Sequence, residues 1–359
     1  MSKLRLSVIG AGSWAVSSHL PELAKRRDEV EFHGVCRLGG DLLAQIRDKW
    51  GFAHASEDYR EVLARGADIV LVGSPAALHH EHARAALEAG AHVLVEKPFT
   101  TTSAQAWDLV ETARRVGRHL LVAYGYNYRP MMRQAREHIA RHGGIGQVES
   151  MMVYMASGVR ELLSGAGAYA RASSLSAPDL ATWVDPALSG GGYGQAQLTH
   201  ALGLALWLHE VEVTEVNAVV ARPLGGTVEQ HDAAVLHLAG GGIGTLTGAS
   251  AHQKAMEFRD QLQVRMVGAE GQFQLDVEND RLRMFRDGTG DVDLTFPAGS
   301  GRYECDGPPH TLVDLGLGRD VENCSPGELG ARTVAVLEAM YASAREGRPV
   351  PVGRPATAD

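Results

Sequence analysis

Apolar positions in the first third of the chain come in short runs, each followed by a stretch with helical spacing. Strands are predicted at 4–9, 30–36, 69–72, 92–95 and 120–123, and helices at 13–26, 41–50, 79–88 and 103–116. The run at 69–72 is apolar at every position, as a strand buried on both faces requires. Gly51 and Gly90 close two of the helices, since glycine takes the left-handed turn that ends a helix without a Cβ clash. Pro21 conflicts with the first helix: it removes a backbone donor, so a kink or a broken segment is expected there. Regular alternation of strand and helix predicts a parallel sheet with crossover helices.

After Tyr124 the pattern changes. Strands follow one another at 148–155, 211–221, 233–238, 244–249, 261–267, 271–276 and 281–286, with glycine turns such as Gly240 to Gly242 between them. Only two helices are expected in this part, at 193–208 and 330–345. Strands in succession with few helices predict an open, mainly antiparallel sheet. The fold class is therefore an α/β domain on a parallel sheet over 1–123, followed by an α+β domain over 124–359. A chain of 359 residues can bury two such cores. The stretch 158–176, rich in Ala, Gly and Ser, is expected to be a loop.

Composition narrows the partners. Hydrophobic residues at 45% and charged residues at 21% describe an ordinary globular protein. A net charge of −9 argues against nucleic acid, which needs a concentrated Lys/Arg surface. No apolar run reaches the roughly 18 residues of a membrane span. The first residues lead directly into a strand, with no leader pattern, so a cytoplasmic protein is expected. Cys36, Cys305 and Cys324 lack metal-ligand spacing; they read as reduced packing thiols, and no metal site is expected.

The turn after the first strand reads Gly10-Ala11-Gly12-Ser13-Trp14-Ala15, a G-x-G-x-x-A pattern. The first glycine makes the tight turn, the second lets backbone approach a pyrophosphate, and the small third residue lets helix and strand pack closely. Placed between a strand and a helix, the pattern predicts dinucleotide binding. An acidic residue at the end of the second strand would favour NAD. Here the sequence is Val35-Cys36-Arg37, with Asp41 further on, so Arg37 points towards NADP over NAD, with a solvated surface arginine as the plainer reading.

Further motifs occur in order. Glu96-Lys97-Pro98 follows the strand at 92–95, Ser74-Pro75-Ala76-Ala77-Leu78-His79 follows that at 69–72, and Asn127-Tyr128-Arg129-Pro130 opens the second part. Gly144-Ile145-Gly146-Gln147-Val148, Gly190-Gly191-Gly192 and the tail Ser343-Ala344-Arg345-Glu346-Gly347-Arg348-Pro349-Val350 complete the set. The series resembles the glucose–fructose oxidoreductase, inositol dehydrogenase and rhizopine catabolism (Gfo/Idh/MocA) family along nearly the whole chain. The resemblance implies an NAD(P)-dependent oxidoreductase that moves hydride between a secondary alcohol of a sugar, cyclitol or glycoside and nicotinamide. It implies that Gly10, Gly12, Ser13, Trp14, Ala15, Arg37, Ser74, Pro75, His79, Glu96 and Lys97 line the cofactor. Lys97 then sits beside the reacting hydroxyl, where a cation or a base is needed as an oxyanion develops.

The family's second pair is an aspartate four residues before a histidine on one helix. The glycine run places the histidine at His200 and the aspartate at Ala196, so that carboxylate is missing. Gln197 lies three residues before His200 and can hydrogen-bond but not carry charge. Trp183-Val184 stands where the family often has W-R, so an arginine is missing too. Trp183, Tyr126, Asn127, Tyr193 and Gln197 are the expected substrate contacts beside Lys97 and His200. The other histidines, His19, His54, His80 and His252 among them, belong to no constellation and are expected on the surface or in packing. Nicotinamide-assisted glycoside cleavage and a non-catalytic cofactor-binding regulator remain open as other readings; Ala196 favours the regulator, and the retained Lys97 and His200 oppose it. The open face of the second sheet is expected to be covered in a homodimer or homotetramer.

Overall fold

The run Ile69–Val72 is buried at every position and forms a central strand of the first sheet. The computed structural model describes residues 3–167, 173, 175–252 and 260–353. Six parallel strands, β1 (Leu4–Ile9), β2 (Val30–Cys36), β3 (His54–Ser56), β4 (Ile69–Val72), β5 (His92–Val95) and β6 (Leu120–Val122), lie in the order β3-β2-β1-β4-β5-β6. Strand order reverses between β1 and β4, which opens a crevice beyond their carboxyl ends. β3 and the helix Tyr59–Ala64 were not expected, because a strand of three residues and a helix of six are too short to show a clear period.

The break at Pro21 is present. A five-residue π-helix, Ala15–His19, passes into the short α-helix Leu20–Ala24, whose first turn holds Pro21. A first-turn residue has no intrahelical partner for its N–H, so proline fits there. Gly51 closes the helix Gly40–Trp50 in the left-handed conformation, at φ 69°.

Nine strands make the second sheet: β7 (Val148–Ser157), β8 (Val213–Ala221), β9 (His231–Leu238), β10 (Ile243–Ser250), β11 (Gln261–Gly268), β12 (Gly271–Asp276), β13 (Arg281–Arg286), β14 (Gly290–Thr295) and β15 (Val350–Pro351). Their order is β14-β13-β12-β11-β7-β10-β9-β8-β15, antiparallel except where β7 meets β10. The helices Thr199–Leu208 and Gly327–Glu346 pack on one face. On the other, Val219, Val235, Ile243, Val267 and Phe285 are exposed.

Two longer helices also went unexpected. Pro130–Arg141 is amphipathic and follows directly on the motif at Asn127. Gly307–Gly316 carries the chain back to the first sheet, where Leu312 and Val313 share a core with Leu6, Leu71 and Leu94. The backbone then runs beside β6, with Val122 N–H donating to Ser325 O at 2.9 Å. The predicted loop holds a single helical turn, Arg160–Leu163; 168–172 and 174 fall outside the described residues.

Candidate active site

The glycine turn sits at the reversal in strand order. Gly10 and Ala11 N–H both donate to Cys36 O, at 2.9 and 3.1 Å, tying the turn to the end of β2. At Gly10 φ is 78°, and a Cβ would lie 2.2 Å from Ser74 N, so only glycine fits. At Gly12 a Cβ would meet nothing nearer than 3.9 Å, and that backbone is open to a ligand. Ala15 is buried. A tight turn followed by open backbone fits a dinucleotide pyrophosphate. Ser13 Oγ donates to Ser176 O at 2.6 Å, which joins the turn to the second half of the chain. Arg37 is half-buried beside the turn; its hydrogen bonds go to Ala11 O (3.3 Å) and Leu38 O (3.1 Å), and it has no salt bridge among the described residues.

The loop after β4 is braced to the Glu96-Lys97-Pro98 segment by His79. One ring nitrogen lies 2.8 Å from Ser74 O and the other 2.8 Å from Pro98 O. Pro75 begins the helix Ala76–Glu88, and Ser74 Oγ meets His82 Nδ1 at 2.9 Å.

Glu96 and Lys97 follow β5 at the carboxyl edge of the sheet. One Glu96 oxygen is hydrogen-bonded to His19 and the other accepts from Lys97 N–H at 3.0 Å. Burial pushes the Glu96 carboxyl up, but His19 and Lys97 outweigh it and hold the group below the usual range. His19 is fully buried and hydrogen-bonded to Glu96, so it has a partner in the Glu96-Lys97 segment where no constellation was expected. Lys97 Nζ donates to Ala196 O at 2.8 Å, so the lysine reaches the turn that leads to His200. Burial draws the Lys97 ammonium below the ordinary lysine range, opposed by Glu96, Cys305 and Asp260.

His200 lies on the helix Thr199–Leu208, whose ten residues are all buried. Tyr124, Tyr126 and Tyr303 surround its ring edge-on, with centroids at 6.1, 6.0 and 5.0 Å. Its Nδ1 has no hydrogen-bond partner among the described residues. Burial, and then the nearby Lys97 charge, push the imidazole well below its usual range, so it stands neutral. Ahead of it, Gly194–Leu198 is a π-helix. That wide turn changes the spacing from which Gln197 was placed on the face of His200; Gln197 is half-buried.

Glu229 fixes the glycine run. It is buried, and its carboxylate accepts from Gly192 N–H (2.9 Å), Gly194 N–H (3.1 Å) and Tyr341 Oη (2.6 Å). A Cβ on Gly192 would lie 2.0 Å from Glu229 O.

The remaining expected contacts divide. Tyr126 belongs to the cluster and donates to Asp260 Oδ2 at 2.7 Å. Asn127 is fully buried and donates to Cys324 O at 2.9 Å, bracing the chain beside β6. Tyr193 is fully buried and donates to Met155 O at 3.1 Å, with Ser157 Oγ at 3.0 Å. Trp183 sits half-buried on the short helix Ala181–Val184, against the core. Sequence reasoning missed His19, Glu229, Asp260, Tyr303 and Cys305. Tyr303 also lies 6.5 Å from Trp14, centroid to centroid. Cys305, read as a reduced packing thiol, is a free cysteine that lies 3.2 Å from Tyr303 Oη, and burial pushes its thiol up to about 12. No metal-binding cluster occurs among the described residues, and no described helix is long and apolar enough to cross a membrane.

Comparison with known proteins agrees with this arrangement. Structural neighbours include a levoglucosan dehydrogenase in complex with NADH and levoglucosan, at TM-score 0.76 and 20% identity, covering 98% of this chain and all of that one. An aldose-aldose oxidoreductase from Caulobacter crescentus aligns at TM-score 0.73 and 21% identity over 98% of this chain and all of that one. In sequence, the chain is 34% identical over 148 residues to D-glucoside 3-dehydrogenase of Escherichia coli, covering 41% of this chain and 42% of that protein. It is 27% identical over 143 residues to scyllo-inositol 2-dehydrogenase (NADP(+)) IolU of Bacillus subtilis, covering 40% and 43%. The matched stretch thus spans less than half the length of either curated relative. Residues 4–124 match the model of the oxidoreductase family with NAD-binding Rossmann fold, and 132–274 that of the GFO/IDH/MocA C-terminal domain. With the glycine turn, the lysine edge and the histidine helix lying within those two matches, the chain belongs to the Gfo/Idh/MocA oxidoreductase family.

Proposed function

We propose that this protein is an NAD(P)-dependent dehydrogenase acting on a secondary alcohol of a sugar, cyclitol or glycoside. The observation that carries the reading is the meeting of Lys97 with the turn before His200, at the carboxyl edge of the parallel sheet. Relatives named as glucoside and inositol dehydrogenases support it.

The bound nicotinamide supplies the hydride acceptor. The chain's own residues handle the proton. A lysine drawn below its ordinary range by burial holds a neutral amine more readily near neutral pH, and such an amine accepts the hydroxyl proton as the carbonyl forms. Neutral His200 offers one nitrogen as donor and the other as acceptor, and so orients the same hydroxyl. Tyr303, with Trp14 and Tyr126, closes apolar surface over the pair and excludes water. Gly10, Gly12, Ser13, Trp14 and Ala15 would hold the pyrophosphate side of the dinucleotide, and Ser74, Pro75, His79 and Glu96 the nicotinamide side. Arg37, with no carboxylate partner among the described residues, suits a 2′-phosphate, and we read this as favouring NADP.

Asn127 and Tyr193 serve this site as braces; Trp183 and Gln197 contact substrate only if the sugar reaches past Ala196. The exposed apolar face of the second sheet suits a homodimer or homotetramer, and we place the protein in the cytoplasm. A partial likeness to a Streptomyces coelicolor glycosyl hydrolase family 109 protein, 41% identical over 78 residues, keeps glycoside cleavage as the second reading. A panel of sugars, cyclitols and glycosides separates the two. Net NAD(P)H formation supports dehydrogenation, whereas glycoside release without net NAD(P)H supports cleavage.

A further inference from the structure

We propose that Tyr341, on the closing helix Gly327–Glu346, is a positioning residue for Lys97: with Glu229 it holds the start of the π-turn whose Ala196 carbonyl receives the lysine. This role deepens the dehydrogenase reading and rests on it.

A buried helix start is the reason such a residue is needed. The first N–H groups of a helix have no partner inside it, and buried ones must find an acceptor elsewhere. Gly192 and Gly194 N–H donate to the Glu229 carboxylate, and Tyr193 N–H donates to Glu229 O at 3.1 Å. Gln195 N–H comes next, and it donates to Tyr341 Oη at 3.1 Å. Burial pushes the Tyr341 hydroxyl well above its usual range, so it keeps its proton and donates to Glu229 at 2.6 Å. One hydroxyl thus accepts from the turn and donates to the carboxylate that holds the neighbouring N–H groups. The glycines make room for it: a Cβ on Gly191 or on Gly194 would lie 2.5 Å from Tyr341 Oη.

Contacts then run unbroken to Lys97. Ala196, the residue after Gln195, donates its N–H to Gly192 O at 2.9 Å. Its own carbonyl accepts from Lys97 Nζ at 2.8 Å. The acceptor that orients Nζ is therefore a neutral peptide oxygen, on the residue where the family's carboxylate is missing. A peptide oxygen moves with its backbone, so the place of Nζ depends on how the turn is held. Tyr341 and Glu229 hold it from two other elements, and neither touches the reacting atoms.

The first arm of the test needs neither substrate nor cofactor. Lys97 is one of five lysines, so its titration can be followed by NMR in protein with labelled lysine, assigned by Lys97→Met. Tyr341→Phe keeps the ring and removes the hydroxyl. The Lys97 ammonium then loses a well-placed acceptor and should titrate lower by about half a pH unit or more. Ser343→Ala is the control from the same helix: it removes a buried hydroxyl that accepts from Ala218 N–H at 2.9 Å and donates to Arg348 O at 2.7 Å. It should cost stability and leave Lys97 at the parent value. Once a substrate is known, kcat of Tyr341→Phe should fall about fivefold or more, with KM for the dinucleotide little changed. The acid limb of its kcat/KM profile should move down with Lys97. Lys97 titrating at the parent pH in folded Tyr341→Phe overturns the proposal, as does an equal shift in Ser343→Ala or a parent kcat. Because the NMR arm runs without turnover, a chain that shows the shift and yet oxidises no sugar refutes the dehydrogenase reading alone.

Discussion

Replacing Glu229 by alanine probes how the glycine run is held. The carboxylate accepts three hydrogen bonds, from Gly192, Gly194 and Tyr341, in a buried setting. Hydrogen bonds to a charged group contribute about 1.5–3 kcal/mol each, and alanine leaves two buried N–H groups without an acceptor. Against this, the substitution removes a buried charge and the repulsion by which Glu229 helps to push Asp232 up. The net cost should be about 3–4 kcal/mol, within the range for breaking a buried charged network. With a urea slope of about 3 kcal/mol per molar, the unfolding midpoint followed by tryptophan fluorescence should fall by roughly 1 M. Glu229→Gln keeps an acceptor and should lose about half as much. Since residues 190–194 lead into the π-turn before His200, turnover should suffer more than cofactor affinity. A Glu229→Ala midpoint within about 0.3 M of the parent would refute the reasoning.

Other predictions follow from the same geometry. If Arg37 meets a 2′-phosphate, NADPH should bind roughly tenfold or more tightly than NADH, and Arg37→Asp should reverse the order; equal affinities by fluorescence titration in both proteins would leave Arg37 a surface charge. His79, His92 and His200 are held below the ordinary histidine value of 6.5 chiefly by burial, His92 at about 4. Their unfolded forms take up protons first, so stability should begin to fall as pH drops below about 6.5, before the carboxylates titrate. Urea midpoints between pH 7 and 5 check this, and His200→Asn should flatten the slope; a midpoint level down to pH 5 would contradict it. His200→Asn should lower turnover less than loss of Lys97, and Gln197→Ala should act mainly on KM, both measured by steady-state kinetics.

The first domain was legible because most of its strands are short, mainly apolar runs, Ile69–Val72 at every position, and its turn residues are glycines with one structural use each. Gly10 shows why: its positive φ and the 2.2 Å approach to Ser74 leave no other residue possible. That Lys97 would meet the turn leading to His200 was legible from motif order. The elements missed were short or polar, such as β3 and β14, or amphipathic with boundary residues absorbed into motifs, as Pro130 and Gly144 are around Pro130–Arg141. The missed site residues have a different cause. Asp260 reaches the cluster by pairing of β11 with β7, Tyr303 and Cys305 by the return of the chain to the first sheet, and His19 by a π-turn that no period reveals. Each is set by tertiary contact across a hundred residues or more, or by an irregular helix, and neither leaves a local signature. The same holds in reverse for Asn127 and Tyr193, whose motif positions suggested substrate and whose partners are interior.

The central claim is that Lys97 handles the substrate proton in an oxidation at this site. Its most direct test is single-turnover reduction of NAD(P)⁺ by the parent and by Lys97→Ala, with a sugar or cyclitol found by the panel. Loss of a general base predicts a rate lower by about 10² or more, with dinucleotide affinity nearly intact. Turnover of Lys97→Ala at the parent rate would contradict the mechanism.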